Sequence, residues 1–116
     1  MYIPRPLEDK VTIPQLKKLK QQGEKFACLT AYDYSFATVM EDCGVEVVLV
    51  GDSLGMVIQG HDTTIPVTLE NIAYHGKAVA AGLNNAMLML DMPFGSLNSP
   101  QQALDNASQL LKQTQA

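Results

Sequence analysis

The sequence predicts an α/β fold built around a small parallel sheet, and two observations lead to this prediction. Three apolar segments of strand length, residues 26–31, 45–50 and 86–90, alternate with segments of helical periodicity. No sequence typical of an antiparallel hairpin turn lies between them. Alternation of this kind is typical of parallel strands joined by right-handed helical crossovers. The predicted order is one helix followed by three strand–helix units.

Capping residues and glycines mark the ends of four predicted helices. A polar side chain before the first turn satisfies free backbone N–H groups, and a glycine commonly ends the helix. Residues 1–11 show no periodicity and predict an extended arm. The helices follow Thr12 (with Pro14 in the first turn) and end at Gly23, cover residues 35–43 and end at Gly44, run from Thr68 to Gly82, and begin at the capping box Ser99-Pro100-Gln101-Gln102.

Composition excludes several classes of function. The chain has 116 residues, 47% hydrophobic and 17% charged, with a net charge of −4 and scattered basic residues, so we expect no nucleic-acid partner. No apolar stretch approaches the roughly 20 residues that span a membrane, and the first residues lack a signal-peptide core, which predicts a cytoplasmic protein. Cys28 and Cys43 lack metal-ligand spacing and are predicted to be buried apolar residues.

Acidic residues follow each predicted strand at its carboxyl end. They are Asp33, Asp52 and Asp91. Adjacent strands lie about 4.8 Å apart, so Asp52 and Asp91 are close enough to share one ion or substrate. Two neighbouring carboxylates repel each other unless a cation or proton intervenes, and neither segment contains a basic residue. Oxygen-only ligands favour Mg²⁺ and an anionic substrate such as a 2-oxo acid. Alternatively, the two aspartates only cap the helices that follow, and spacing alone does not decide between these interpretations.

The segment from Gly51 to Pro66 is predicted to be a long functional loop. It is rich in glycine and polar residues, and loops of this length inside a compact domain usually serve a function. Its sequence does not match a dinucleotide-binding or P-loop pattern. We expect it to fold over a polar ligand.

Several short motifs together resemble one enzyme family. The motifs are Thr30-Ala31-Tyr32-Asp33, Val50-Gly51-Asp52-Ser53-Leu54-Gly55-Met56, Gln59-Gly60-His61-Asp62-Thr63-Thr64 with Pro66-Val67-Thr68, Ala73-Tyr74-His75, and Leu90-Asp91-Met92-Pro93-Phe94. From about residue 12 onward, the chain closely resembles ketopantoate hydroxymethyltransferase (3-methyl-2-oxobutanoate hydroxymethyltransferase). That family is a (βα)8 TIM barrel. The resemblance implies one incomplete barrel domain over residues 1–116, with an amino-terminal arm and helix in 1–23 and the first three βα units in 26–116.

The resemblance also implies a reaction. The family transfers a hydroxymethyl group from 5,10-methylenetetrahydrofolate to 3-methyl-2-oxobutanoate, giving 2-dehydropantoate in pantothenate biosynthesis, and commonly forms homodecamers. The expected partners are therefore a small 2-oxo acid, a folate and further copies of the chain.

Residue roles follow from the same resemblance. Asp52 and Asp91 correspond to Mg²⁺ ligands, and with Ser53 they also contact the oxo acid. Tyr32 lines the substrate pocket. The family's general base, a glutamate, has no counterpart among these 116 residues, so no catalytic base is expected here and the chain alone is predicted to be inactive. His61 is predicted to order the long loop or close the site, and His75 to be structural.

Two other functions remain open from the sequence. One is a Mg²⁺-dependent carbon–carbon lyase or mutase of the phosphoenolpyruvate or isocitrate lyase type, which shares the barrel and a similar Gly-Asp-Ser segment. The motifs at residues 59–62 and 90–94 favour the hydroxymethyltransferase. The other is a non-catalytic domain that associates with other chains through its unclosed sheet.

Overall fold

The computed structural model describes residues 5–116, which contain one helix followed by three strand–helix units, as predicted. A short extra helix lies in the segment predicted to be a loop. Residues 1–4 of the predicted arm lie outside the described residues, and residues 5–12 form neither helix nor strand. The elements are α1 (Ile13–Gln21), β1 (Cys28–Thr30), α2 (Tyr34–Asp42), β2 (Val47–Val50), α3 (Leu54–Val57), α4 (Leu69–Ala81), β3 (Met87–Leu90) and α5 (Pro100–Thr114).

The strands form a parallel sheet in the order β1-β2-β3. Val48 of β2 lies opposite Leu29 of β1 on one side and Leu88 of β3 on the other. Strands β1 and β3 are therefore the two edges of the described sheet. Because the strands are parallel, their three carboxyl ends lie along the same end of the sheet, which we call its carboxyl edge.

The long helices cover one face of this sheet. Val48 and Val50 point to that face together with Leu88 and Leu90, because paired residues of parallel strands share a side. Both valines are fully buried in a cluster that includes residues of α2, α4 and α5. Helix α4 contacts both α2 and α5. Burial of each valine stabilises the fold by about 1.5–3 kcal/mol.

The opposite face of the sheet is more open. Thr30, Leu49 and Met89 share this face in the observed register. Thr30 is exposed, Leu49 is only partly buried, and Met89 is 43% exposed. This face thus carries the apolar side chains of Leu49 and Met89, and Val47 at the amino end of β2 is its buried residue.

The predicted helix caps are confirmed, with one difference. Thr68 and Asn71 form a complete capping box, and Thr12 and Ser99 each accept a backbone N–H bond in the first turn. The box predicted at Ser99 is only half formed. The Gln102 side-chain oxygen accepts from the N–H of Asn98 (2.6 Å) rather than from that of Ser99, and its amide nitrogen donates to Gly95. Gln102 thereby fastens the loop that precedes α5.

Glu41, near the end of α2, joins that helix to the loop between α4 and β3. Its carboxylate accepts N–H bonds from Asn84 (2.8 and 2.9 Å), Asn85 (2.6 Å) and Ala86 (2.7 Å). Partial burial raises the pKa of Glu41, but the bonds from Ala86, Asn84 and Asn85 outweigh burial and hold it below its ordinary value of 4.5. The ionised form of Glu41 therefore stabilises the fold.

We expect Glu41→Gln to destabilise the fold by about 1–3 kcal/mol at neutral pH, because a charged acceptor of several N–H bonds is replaced by a neutral one. Since the folded-state pKa is lowered, this stabilisation is complete above the ordinary pKa and is lost as the pH falls through the folded-state value. The difference between the two proteins should therefore narrow in acid. Urea denaturation from neutral pH into acid measures the free energy of unfolding of both proteins. The control is Asp42→Asn at an exposed position. A difference that does not change with pH would contradict the assigned role.

The cysteine prediction is wrong, since Cys28 and Cys43 are both free and exposed. Cys28 lies on an edge strand, and Cys43 follows the last turn of α2, so neither position is covered. Within residues 5–116, no helix combines the length and the apolar character needed to cross a bilayer.

Candidate functional site

The residues predicted to form the site follow the strands at the carboxyl edge of the sheet. Tyr32 comes two residues after β1, Asp52 and Ser53 come after β2, and Asp91 directly follows β3. All four are partly buried. The parallel sheet therefore brings the predicted site residues to the same edge.

The backbone of Asp52 is in direct contact with the side chain of Asp91. The N–H of Asp52 donates to Oδ2 of Asp91 over 3.2 Å, and the N–H of Asp91 donates to the Val50 carbonyl over 3.0 Å. Gly51 is buried between them, and a Cβ there would lie 3.4 Å from Asp91 Oδ2. That distance is an ordinary van der Waals contact, so the Asp91 carboxylate lies directly against the end of β2.

The alternative interpretation, that these aspartates cap the following helices, is wrong. The N-cap residue of α3 is Ser53, and that of α5 is Ser99. Within residues 5–116, the Asp52 carboxylate makes no hydrogen bond, and that of Asp91 bonds only to the Asp52 N–H. Asp52 and the second oxygen of Asp91 therefore remain available to a ligand.

The donor set fits a hard cation with many outside ligands. In the described part of the chain, no group of three or more histidine, cysteine or acidic residues is arranged to hold a metal. Two carboxylates alone suit Mg²⁺, which commonly takes one or two protein carboxylates and fills its other positions with water and substrate oxygens.

Asp33 does not join the other two acids. Its carboxylate accepts the Phe36 N–H (2.8 Å) and caps α2. Its position after a strand predicted the same edge, but the helix begins directly after Asp33, and capping that helix occupies its side chain.

Tyr32 and Ser53 form a hydroxyl pair beside the acids. The phenolic oxygen lies 2.6 Å from Ser53 Oγ. Ser53 occupies the N-cap position of α3, yet its side chain does not cap that helix. Its hydroxyl is therefore free to bond across to the loop after β1. Tyr32 also lines a cleft of about 280 Å³ with Phe36, Met40 and Ile58.

The segment from Gly51 to Pro66 is more ordered than predicted, because it contains α3. The His61 N–H donates to the Gly55 carbonyl over 2.8 Å, which folds the segment back on that helix. Gly55 is buried, and a Cβ there would lie only 2.5 Å from Val67 Cγ2. The His61 residue is exposed, so its proposed part in closing the site stays a prediction.

His75 is a neighbour of the site that sequence analysis missed. Its Nδ1 lies 2.8 Å from the Tyr32 carbonyl oxygen, and its ring meets the Tyr32 ring edge-on at 6.4 Å between centroids. In the sequence, position 75 belongs to the motif Ala73-Tyr74-His75 and lies beside the buried stripe of α4, which contains Ile72, Ala73, Gly76 and Val79. That pattern gives no sign of a contact with Tyr32, which lies 43 residues earlier.

The fold is that of an α/β protein with a parallel sheet, and acids and hydroxyls gathered at the carboxyl ends of the strands are the arrangement in which such proteins commonly bind ligands. Comparison with known proteins identifies the family. The family model described as ketopantoate hydroxymethyltransferase matches residues 10–116. The chain therefore belongs to the ketopantoate hydroxymethyltransferase family.

Three bacterial relatives, each named 3-methyl-2-oxobutanoate hydroxymethyltransferase, support this assignment. The protein from Janthinobacterium sp. (strain Marseille) is 51% identical over 111 residues, 96% of this chain and 41% of the relative. That from Marinomonas sp. (strain MWYL1) is 55% identical over 108 residues, 93% and 39% respectively. That from Erwinia tasmaniensis is 54% identical over 101 residues, 87% and 38%. The chain thus spans about two fifths of the length of the curated relatives that it matches.

Proposed function

We propose that this chain supplies the metal-binding part of the active site of a 3-methyl-2-oxobutanoate hydroxymethyltransferase. The reaction transfers a hydroxymethyl group from 5,10-methylenetetrahydrofolate to 3-methyl-2-oxobutanoate and gives 2-dehydropantoate. The observation that carries the proposal is the contact between Asp52 and Asp91 at the carboxyl edge, in a chain whose residues 10–116 match the family. The match to this family favours the transferase over the lyase or mutase alternative.

In this proposal, the two aspartates are the ligands that the described residues would supply to Mg²⁺. Bound there, the cation supplies Lewis acidity that draws charge from the 2-oxo group and makes the neighbouring C3 proton easier to remove. The Asp52 N–H holds Oδ2 of Asp91, so the other Asp91 oxygen would be the one available to hold the cation. This bond fixes the orientation of one carboxylate before any ligand arrives.

Ser53 and Tyr32 bind the carboxylate of the oxo acid in the same proposal. The Ser53 hydroxyl donates to a substrate oxygen, and Tyr32 supports it from the other side of the pair. No residue of this chain is assigned as the general base. The homodecamer and the folate co-substrate remain proposals drawn from the resemblance, and the cytoplasmic location remains a proposal drawn from the sequence pattern.

We also propose that the three strand–helix units belong to a closed (βα)8 barrel. In such a barrel, helices surround the outside of the sheet and apolar side chains pack in layers inside. Two observations support this: the long helices pack on one face, and Leu49 and Met89 lie on the other. An apolar groove of about 320 Å³ also runs along β3, between Leu88, Leu90 and α5 residues including Leu111. A fourth strand and its helix would cover this groove.

The proposal is tested with a full-length hybrid, in which residues 1–116 are joined to the remaining part of the Janthinobacterium relative. We expect the hybrid to convert 3-methyl-2-oxobutanoate with methylenetetrahydrofolate and Mg²⁺. We expect the 116-residue chain alone to show no conversion, because no general base is assigned within it. Product formation is measured by mass spectrometry. A folded but inactive hybrid would contradict the proposed function, and an active isolated chain would contradict the assignment of the base elsewhere.

A further inference from the structure

We propose that His75 is a positioning residue that holds the Tyr32–Ser53 hydroxyl pair in place for substrate binding. The three residues form one connected chain of contacts. His75 Nδ1 lies 2.8 Å from the Tyr32 carbonyl oxygen, and the Tyr32 hydroxyl lies 2.6 Å from Ser53 Oγ. This inference rests on the proposed function, because it concerns the same oxo-acid site.

The first contact fixes the proton on His75. A carbonyl oxygen can only accept a hydrogen bond, so Nδ1 must carry the hydrogen and donate it. The neutral ring is therefore the Nδ1–H tautomer, which leaves Nε2 without a proton. A ring held in one tautomer and one orientation suits a positioning role.

Helix α4 provides a rigid support for this donor. It begins with the complete capping box at Thr68, and it buries Ile72 and Val79 on either side of His75 along the helix. Tyr32, in contrast, lies in the connection between β1 and α2, outside any regular element. The bond from His75 ties this connection to the helix layer, and the edge-on ring contact adds to it.

The second contact sets the direction of the hydroxyl pair. A phenol, with a pKa near 10, is a stronger donor than an aliphatic hydroxyl. We therefore infer that Tyr32 donates to Ser53, which leaves the Ser53 proton free for a substrate carboxylate. Successive hydrogen bonds polarise one another, so a correctly placed Tyr32 makes Ser53 a better donor.

The tautomer can be measured on the chain itself. The sequence contains two histidines, so a ¹⁵N-histidine-labelled sample gives two pairs of ring-nitrogen signals, and His61→Gln assigns them. At pH 8, we expect the Nδ1-protonated tautomer at His75. An Nε2-protonated ring there would overturn the proposal.

The functional role is measured in the hybrid by comparing His75→Phe with His75→Asn. Phenylalanine keeps a ring but loses the donor, whereas asparagine places an amide N–H near the position of Nδ1. We expect His75→Phe to raise KM for the oxo acid about three- to tenfold with little change in kcat, the range for one lost hydrogen bond. We expect His75→Asn and the exposed control Lys77→Ala to stay within about twofold of the unchanged hybrid.

A double variant distinguishes positioning from a general structural role. Tyr32→Phe removes the hydroxyl but keeps the carbonyl, so in this background His75→Phe should raise KM by less than about twofold. Additive effects, or an unchanged KM in His75→Phe, would overturn the proposal. If His75→Phe does not fold, KM is compared between His75→Asn and His75→Gln. The longer glutamine amide cannot reproduce the Nδ1 position, so only His75→Gln should raise KM. If the hybrid without any substitution is inactive, the proposed function is contradicted instead.

Discussion

Replacing Asp91 with asparagine should reduce kcat/KM of the hybrid by about 100-fold or more, since even partners of metal ligands commonly contribute 10–100-fold. The asparagine oxygen can still accept the Asp52 N–H, so the local backbone should stay in place. What is lost is one of two negative charges beside the proposed cation. Calorimetric titration of Mg²⁺ in the presence of the oxo acid should show the same loss in affinity.

Asp52→Asn should behave in the same way, and Ser53→Ala should have a smaller effect because it removes only a neutral donor. The matched control is Asp33→Asn. Asp33 also follows a strand, but it caps α2, and asparagine is an equally good cap. We expect this control to keep both activity and stability. Unchanged Mg²⁺ affinity in both Asp52→Asn and Asp91→Asn would remove the basis of the metal site.

Gly44→Ala should destabilise the hybrid by about 2–4 kcal/mol, the largest effect on stability that we expect. Gly44 ends α2 with φ of +83°, a backbone conformation that residues other than glycine rarely adopt. An added Cβ would also lie 1.7 Å from the Arg5 carbonyl oxygen, so the amino-terminal arm would have to move. Thermal denaturation of the hybrid measures the change.

Gly23→Ala separates the two causes. Gly23 has a similar φ of +71°, but nothing lies within 4 Å of an added Cβ. We expect it to cost only about 1–2 kcal/mol, the backbone term alone. Deleting residues 1–6 should reduce the effect of Gly44→Ala to this level. Equal effects at the two glycines in the undeleted protein would show that the arm does not pack as described.

Local signals in the sequence predicted most of the fold. Caps such as Thr12 and Thr68 act within four residues, so they can be identified without knowledge of the rest of the molecule. Gly82 was predicted to stop α4, and it does, but not in the left-handed conformation: its φ is −91°. Glycine is needed at this position because of a residue distant in the sequence: a Cβ there would lie 2.7 Å from the Tyr34 carbonyl oxygen.

The candidate site was predicted only in part, for a related reason. The parallel alternation of strands and helices was enough to place Asp52 and Asp91 at one edge. It could not distinguish Asp33, because the same position after a strand suits either a ligand or a cap. The contacts of Tyr32 with Ser53 and His75 depend on side-chain directions in three separate elements, which no periodicity encodes.

The order of the sheet has a consequence for biosynthesis. Each strand pairs with the strand that precedes it in the chain, so the sheet can grow in the order in which the ribosome releases it. In the proposed barrel, the outer edge of β3 and the groove beside it stay uncovered until the next strand–helix unit has been synthesised. A unit of about 30 residues takes about 2–6 s to emerge at common rates of translation. During those seconds the outer side of β3 (Met87–Leu90) would have no partner strand, and an unpaired strand edge of this kind can pair with another chain.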